Sequence, residues 1–188
     1  MKPFSVPGCI ISEMERNIHF DESESARITM KITEAVFLEV FEKFKNTVYA
    51  VTFNYVRNAD DAADLEQDVF LRLLRCETEF DSEDHIKAWL IRVSINLSKN
   101  HLRNRSHLSD LPLSEEIAVA EEEVQGELFR LVLTLPEKYR VPLHLFYYED
   151  YSVRQIAEVM GLPEATVKVR LKRGREKLAK FLRKEDWF

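Results

Sequence analysis

The feature that most constrains the fold is a pair of short amphipathic segments joined by a glycine-containing turn near the end of the chain. Ser152 is followed three residues later by Gln155, the spacing of a capping box, which predicts a helix beginning near Val153. Gly161 allows the left-handed backbone that ends such a helix. Pro163, which a helix tolerates in its first turn, predicts an immediate restart. Two helices joined in this way form a helix-turn-helix.

The second of these helices is strongly basic. Nine Lys or Arg residues accompany two Glu residues between Glu164 and Lys184. A basic second helix is the element that enters a DNA major groove in helix-turn-helix proteins. The alternative is a structural helical hairpin with a solvated basic face. The positions expected to face inward are Val153, Ile156, Ala157 and Met160 in the first helix and Val167, Leu171 and Leu178 in the second.

Charge is arranged in blocks along the chain. The formal net charge of −6 argues, by itself, against a nucleic-acid partner. Residues 85–105 and 164–184 are nevertheless basic, whereas residues 58–84 and 110–127 are acidic. This pattern indicates two surfaces that face polyanions and at least one surface for a basic partner.

The length of 188 residues, with only four Gly and six Pro, favours an all-α protein of one or two small domains. The changes in periodicity and charge predict two small helical domains joined by a flexible acidic linker. The predicted divisions are a flexible N-terminal arm at 1–32, a helical domain at 33–105, the linker at 106–126 and a helix-turn-helix domain at 127–188.

The first predicted domain contains three helices. A long amphipathic helix begins after Thr33 and is broken at residues 57–60. In the second helix the expected inward positions are Ala62, Leu65, Val69, Phe70, Leu73 and Leu74. The third helix starts at about His85, and its apolar stripe is Ile86, Trp89, Leu90, Val93 and Leu97. Trp89 could stack on a base, but its place in this stripe favours packing in the core.

The second predicted domain opens with a helix from about Glu127 that stops before Pro136. A further helix at 137–148 contains Pro142, which is expected within its first turns. The helix-turn-helix completes this domain.

Several function classes are disfavoured. Cys9 and Cys76 are too few for a disulfide framework or a metal signature, and free thiols suit a reducing cytoplasm. Neither a phosphate-cradling glycine loop nor a metal-spaced His/Cys set is present in the sequence. Residues 4–11 make a poor signal peptide, and no run is apolar enough to span a bilayer. We therefore predict a cytoplasmic protein that is not an enzyme, with no cofactor, no metal and no direct membrane insertion.

Three segments, in this order, resemble bacterial sigma factors of the sigma-70 family, in its extracytoplasmic-function (ECF) group. The acidic run at 60–70 is similar to the helix that docks on the polymerase clamp. Residues 89–100 resemble the helix for the −10 element. Residues 135–140, with 166–168 and 173–175, resemble the −35 reader.

The resemblance implies a sigma factor that binds core RNA polymerase at its clamp and flap regions, recognises the −10 and −35 promoter elements and promotes DNA melting. The implied polymerase contacts are Asp61, Asp64, Gln67, Asp68 and Phe70. The implied −10 contacts are Arg92, Asn96, Lys99, Asn100 and Arg103. The implied −35 contacts are Thr166, Lys168, Val169, Arg170, Lys172, Arg173 and Arg175. An anti-sigma factor is a further partner that the family implies, and a flipped base is expected near residues 80–87.

These roles suit the residue types. Asparagine can bond an exposed base edge, lysine and arginine can pair with guanine or hold phosphates, and Val169 can meet a thymine methyl. Ala165 and Val169 stand where the family often has glycine and serine, which leaves the −35 sequence preference open. The acidic helix would repel phosphates and suits a basic protein surface, although a merely solvated face is the alternative.

Two other function classes stay open from the residues alone. A helix-turn-helix regulator that never joins polymerase would bind duplex DNA by itself. A sigma-like adaptor would bind polymerase without opening a promoter. The acidic linker is either a mimic of nucleic acid near the polymerase active site, as the family implies, or a soluble tether.

Overall fold

The computed structural model describes residues 31–106 and 127–184, so nearly all of the predicted arm and nearly all of the predicted linker lie outside the described residues. Within these two ranges the chain is all-α. The helices are α1 (Glu34–Val56), α2 (Ala59–Leu74), α3 (Glu83–Ser106), α4 (Glu127–Thr134), α5 (Glu137–Tyr147), α6 (Val153–Met160) and α7 (Glu164–Lys184). We call α1–α3 the N-terminal domain and α4–α7 the C-terminal domain.

The junction between α1 and α2 is tighter than the sequence predicts. Arg57 adopts a left-handed conformation (φ 57°) and its N–H donates to Phe53 O, which ends α1. Asn58 then caps α2, because its side chain accepts a 2.8 Å hydrogen bond from the N–H of Asp61. The predicted break at 57–60 is therefore wrong in its second half, since Ala59 and Asp60 are already helical.

Aromatic rings fill one end of the N-terminal domain. The ring of Phe70 lies edge-on to Phe41 and Phe37, with centroid distances of 4.8 Å and 6.2 Å. The prediction that Leu74 faces inward is wrong, because it is 50% exposed. Its neighbour Leu73 is fully buried, and successive helical residues point about 100° apart, so both cannot face the core.

Helix α3 begins two residues before the predicted start. Ser82 forms the cap, because its Oγ accepts from the N–H of His85 at 3.1 Å and its carbonyl oxygen accepts from the N–H of Ile86. Phe80 is fully buried and packs edge-on to Trp89, with centroids 6.0 Å apart. Core packing is thus confirmed for Trp89.

The helix-turn-helix forms as its local signals predict. The capping box is present in full, with Ser152 and Gln155 each accepting from the other's backbone N–H. Gly161 has φ 64° and ends α6, and Thr166 donates its N–H to the carbonyl oxygen of Pro163 at the start of α7. The apolar side chains expected inward are buried or pack against the core: Val153, Ile156, Ala157, Met160, Val167, Leu171 and Leu178.

In the C-terminal domain α7 packs closely on α5. Pro142 lies in the second turn of α5 and is buried. Gly174 faces Leu143, and a methyl group at this glycine would lie 2.8 Å from the Leu143 Cδ1 atom. The glycine therefore allows a closer approach of the two helices than any larger residue would permit.

Candidate polymerase and nucleic-acid interfaces

Helix α7 presents a continuous polar and basic face. Val169 adds an apolar position to this face and is 46% exposed. Two lysines make only long i,i+4 contacts, Lys168 with Glu164 at 3.8 Å and Lys172 with Glu176 at 3.9 Å, which leave both ammonium groups accessible. The predicted −35 residues are all exposed or half-buried on this helix: Thr166, Lys168, Val169, Arg170, Lys172, Arg173 and Arg175.

The predicted −10 residues lie along α3 but in two different environments. Arg92 and Asn96 are half-buried, whereas Lys99, Asn100 and Arg103 are exposed. The guanidinium of Arg92 donates a 2.9 Å hydrogen bond to the carbonyl oxygen of Glu158, which belongs to the first helix of the helix-turn-helix. The pKa of Lys99 lies below its usual value, chiefly because surrounding protein desolvates its ammonium. Arg170 adds to this effect and Glu137 opposes it. The exposed members of the set are Lys99, Asn100 and Arg103.

The acidic helix α2 presents Asp64, Gln67 and Asp68 to solvent. Asp61 instead forms an ion pair with Arg105 at the end of α3, and its carboxylate lies 3.4 Å from Nε2 of His101, so it joins α2 to α3. Phe70 is only 3% exposed. The apolar ring is buried in the aromatic core beneath the helix, and its role as a polymerase contact stays a prediction.

Sequence reasoning did not predict the most buried charged side chain among the described residues. Arg140, on α5, is 2% exposed. Its Nε donates a 2.6 Å hydrogen bond to the carbonyl oxygen of Asn54, and a second nitrogen lies 3.5 Å from the carbonyl oxygen of Tyr55. The third nitrogen donates to the carbonyl oxygens of Leu133 and Leu135. In the sequence Arg140 belongs to the segment 135–140 that resembles the −35 reader, and the charged neighbours Glu137 and Lys138 gave no indication that it would be buried.

The Arg140 guanidinium satisfies carbonyl groups at the C-terminal end of α1, which belongs to the other domain. These carbonyls have no partner within their own helix, and a cation is favoured at a helix C-terminus. The pKa of Arg140 is lowered to about 10, chiefly by burial and also by Arg57, while Glu137 and Tyr55 oppose the change. The group therefore remains charged at neutral pH.

A second polar cluster forms around Glu149, whose side chain is 9% exposed. Its carboxylate lies 2.9 Å from the ammonium of Lys87 on α3 and accepts a 3.3 Å hydrogen bond from the hydroxyl of Thr47 on α1. His144 lies 3.6 Å away on α5. Burial raises the pKa of the Glu149 carboxyl, but His144 and Lys87 together outweigh it, so the net pKa lies below its usual value.

Two family models match the chain. The model for sigma-70 region 2 matches residues 40–107, and the model for sigma-70 region 4 matches residues 125–178. Together they cover more than half of the chain and include α2, α3 and the helix-turn-helix. The chain belongs to the sigma-70 family. Within this family it groups with the ECF factors, in agreement with the resemblance of its three motifs.

Curated relatives are similar to this chain over most of its length. It is 28% identical to the ECF RNA polymerase sigma factor SigW of Bacillus subtilis, with 78% of this chain and 89% of the relative covered. It is 27% identical to the ECF RNA polymerase sigma-E factor of Escherichia coli, with 71% and 80% covered.

Two solved structures share the fold of this sigma-70 family member. One is the sigma factor RpoE in complex with the anti-sigma factor NepR from Bartonella quintana, with a TM-score of 0.66, 23% identity and coverage of 78% and 96%. The other is CnrH in complex with the cytosolic domain of CnrY, with a TM-score of 0.59, 20% identity and coverage of 82% and 92%. These likenesses support the all-α, two-domain architecture.

In residues 31–106 and 127–184, no group of three or more His, Cys, Asp or Glu side chains is arranged to hold a metal ion. No helix of these ranges is long and apolar enough to cross a membrane.

Proposed function

We propose that this chain is a sigma factor that binds core RNA polymerase, directs it to promoters through −10 and −35 recognition, and promotes DNA melting. The observation that carries this proposal is the occurrence of both sigma-70 regions in one chain, in family order. As a sigma factor the chain would supply recognition and leave the chemistry of RNA synthesis to polymerase.

The role that we propose for each helix follows from its surface charge. The exposed acidic face of α2, with Asp64, Gln67 and Asp68, suits a basic surface of polymerase and disfavours DNA. The exposed end of α3 suits a melted strand, because lysine and arginine can follow phosphates while asparagine bonds a base edge. The exposed face of α7 suits the major groove of the −35 duplex.

The proposed partners also include an anti-sigma factor. Two structural neighbours, RpoE and CnrH, were solved with NepR and with the cytosolic domain of CnrY respectively. The same two-domain fold in this chain supports a partner of that class. We place the complex in the cytoplasm, where core polymerase and promoter DNA are found together.

Run-off transcription tests the proposal. Purified bacterial core polymerase is incubated with a promoter library from the same genome, with and without this chain. Transcripts from a discrete promoter set that require the chain would establish the function. Direct duplex binding without transcripts would favour a free helix-turn-helix regulator, and polymerase binding without transcripts would favour an adaptor.

A further inference from the structure

Three exposed leucines lie on the two first helices of the N-terminal domain. Leu38 on α1 is 57% exposed, and Leu71 and Leu74 on α2 are 46% and 50% exposed. A single exposed apolar residue is ordinary on a protein surface, but a cluster marks an interaction site. Among the described residues, the other exposed large apolar side chains all belong to the C-terminal domain: Tyr147, Tyr148, Val169 and Phe181.

Ring packing between α1 and α2 brings the three leucines together. Phe41 on α1 and Phe70 on α2 pack edge-on, with their centroids 4.8 Å apart. Leu38 lies one turn before Phe41, and Leu74 lies one turn after Phe70, so each leucine shares a helix face with one of the two rings. Leu71 lies one turn before Leu74, on the same side of α2. We call Leu38, Leu71 and Leu74 the leucine patch.

The chain enters the N-terminal domain beside this patch. The ammonium of Lys31 lies 3.3 Å from the carboxylate of Glu79, which follows closely on Leu74, the last residue of α2. Leu38 lies one turn into α1. Residues 1–30, which we call the arm, are therefore attached to the domain at the end that carries the leucine patch.

The arm has apolar side chains and enough length to cover the patch. Its segment 10–20 contains five large apolar residues: Ile10, Ile11, Met14, Ile18 and Phe20. The chain between Phe20 and Lys31 can span up to about 36 Å, given about 3.3 Å per residue when it is extended. Helix α2 is only about 24 Å long at 1.5 Å per residue, so the arm can reach any part of the patch.

Charge also matches between the arm and the end of α2. Arg72 and Arg75 directly follow Leu71 and Leu74 in the sequence, and both are exposed. The stretch 21–24 of the arm, which connects its apolar segment to the domain, carries Asp21, Glu22 and Glu24. Opposite charges at the rim of an apolar contact favour the correct pairing of two surfaces.

The position of attachment favours the arm over the acidic linker. Arg105, next to the start of the linker, pairs with Asp61 in the first turn of α2. Asp61 and Leu74 lie about 20 Å apart along the helix, given 1.5 Å per residue. The linker is thus attached at the opposite end of α2 from the leucine patch.

We propose that residues 10–20 of the arm dock on the leucine patch of the same chain, with the acidic stretch 21–24 beside Arg72 and Arg75. The contact is intramolecular, so a short tether keeps the arm at a local concentration on the order of millimolar, and modest apolar contacts suffice. Docking of the arm requires neither polymerase nor DNA and does not depend on the proposed sigma function. It places the arm beside Gln67, on the outer surface of α2.

Disulfide trapping in the full chain tests the docking. Cys9 and Cys76 are replaced by alanine, and His19→Cys in the arm is paired with Gln67→Cys, one turn before Leu71. The matched control pairs His19→Cys with Glu39→Cys, which directly follows Leu38 and so points about 100° away from it. Both helical positions are exposed.

With diamide as oxidant and dilute protein, the Gln67 pair should form an intramolecular disulfide at least about tenfold faster than the Glu39 pair, because docking raises the local concentration at the patch. Equal rates would mean that the tether alone brings the cysteines together, with the patch left open for another protein, and would overturn the proposal. Disulfide-linked dimers in place of the intramolecular product would overturn it in favour of a second copy of the chain.

Charged substitutions then test the apolar contact from both sides. Leu71→Glu with Leu74→Glu should lower the trapping rate of the Gln67 pair to that of the control, and so should Ile18→Asp with Phe20→Asp in the arm. Val169→Glu, at an exposed apolar position of α7, should leave the rate unchanged. The arm variant keeps the test valid if the patch variant lowers the unfolding midpoint. Fast trapping in the arm variant would contradict the docking.

A charge exchange tests the acidic stretch. Arg75→Glu should slow trapping of the Gln67 pair, and Asp21→Lys with Glu22→Lys in the same chain should restore the rate. Both effects should weaken in high salt, which screens exposed charges. Failure of the combined variant to recover would contradict the position of residues 21–24 beside Arg75.

Discussion

At the scale of single residues, Arg140 shows how one side chain can organise an interface. Its planar guanidinium presents nitrogens in three directions, and it contacts four carbonyl oxygens from two separate parts of the chain. A lysine ammonium has three donors on one nitrogen atom, so it lacks the planar fork with which the guanidinium reaches carbonyl groups on opposite sides. The residue therefore joins the α4–α5 turn to the end of α1.

Replacement of this arginine by methionine removes the donors but keeps an apolar stem. We expect Arg140→Met to lower the free energy of unfolding by about 3 kcal/mol, because buried carbonyl groups lose charged hydrogen-bond donors. Urea unfolding followed by circular dichroism measures the change. Arg154→Met, at an exposed position of α6, is the control and should change stability by less than about 0.5 kcal/mol. Full stability in Arg140→Lys would contradict the role of the guanidinium fork.

The close contact between Gly174 and Leu143 gives a second prediction at this scale. In an exposed helix Gly→Ala is stabilising by up to about 1 kcal/mol. Here the added methyl group would meet a buried leucine at 2.8 Å. We expect Gly174→Ala to destabilise the protein by about 1 kcal/mol, since overpacking outweighs the gain in helix propensity. Thermal unfolding measures the change in stability. The loss should shrink when Leu143→Ala is also present, and a gain in stability for Gly174→Ala alone would refute the clash.

At the scale of elements, the sequence predicted best where the signal was local. The capping box at Ser152, the left-handed Gly161 and Pro163 all act within one helix turn, so the helix-turn-helix could be placed to the residue. The start of α3 was misplaced because the cap at Ser82 lacks the usual capping-box partner three residues later. Ile91 and Ile95 are fully buried, although neither belongs to the predicted apolar stripe of α3. Their packing depends on tertiary contacts that periodicity does not encode.

The exposed acidic face of α2 gives a prediction about polymerase. We expect Asp64→Lys with Asp68→Lys to weaken core polymerase binding at least about tenfold, or about 1.4 kcal/mol, because like charges would then face each other. Fluorescence anisotropy with labelled chain measures the affinity. Asp61 is left unchanged because it pairs with Arg105 and His101.

The charge reversal at Asp64 and Asp68 has a matched control on a neighbouring helix. Glu39→Lys changes an exposed acidic residue of α1 and should leave polymerase affinity within about twofold, equivalent to roughly 0.4 kcal/mol. Both sets of substitutions should keep the unfolding midpoint of the unsubstituted chain. Equal binding by the Asp64 and Asp68 variant would count against the acidic face as the polymerase contact.

At the scale of the whole molecule, the two domains are joined by polar contacts that Glu149 makes with Thr47 and Lys87. These contacts lie beside apolar packing, because the buried hydrophobic residues of both domains form one contiguous core. No single helix carries this property. It could not be predicted from the sequence, because Thr47, Lys87 and Glu149 are far apart along the chain and carry no common motif.

The packed arrangement should respond to acid through Glu149. Its pKa is depressed in the packed form and returns to about 4.5 when the domains separate, so its stabilising contribution is present above that value. As the pH falls from about 4.5 through the depressed pKa, the carboxylate is protonated and the contribution is lost. Lys87 and His144 face the carboxylate, and the Tyr151 phenol, whose pKa is raised by burial and by Glu149, stays neutral in this range.

Spin labels at Glu39→Cys and Ala179→Cys, with Cys9 and Cys76 replaced by alanine, report the distance between the two domains through pulsed electron paramagnetic resonance. The distribution of this distance should broaden in the chain that keeps Glu149 as the pH falls below about 4.5. Glu149→Gln has no carboxyl group to protonate, so its distance distribution should change less over the same range. The difference between the two chains isolates Glu149 from every other carboxylate that titrates there. An identical pH response in both would mean that acid separates the domains through other groups, and that the Lys87–Glu149 pair does not hold them together.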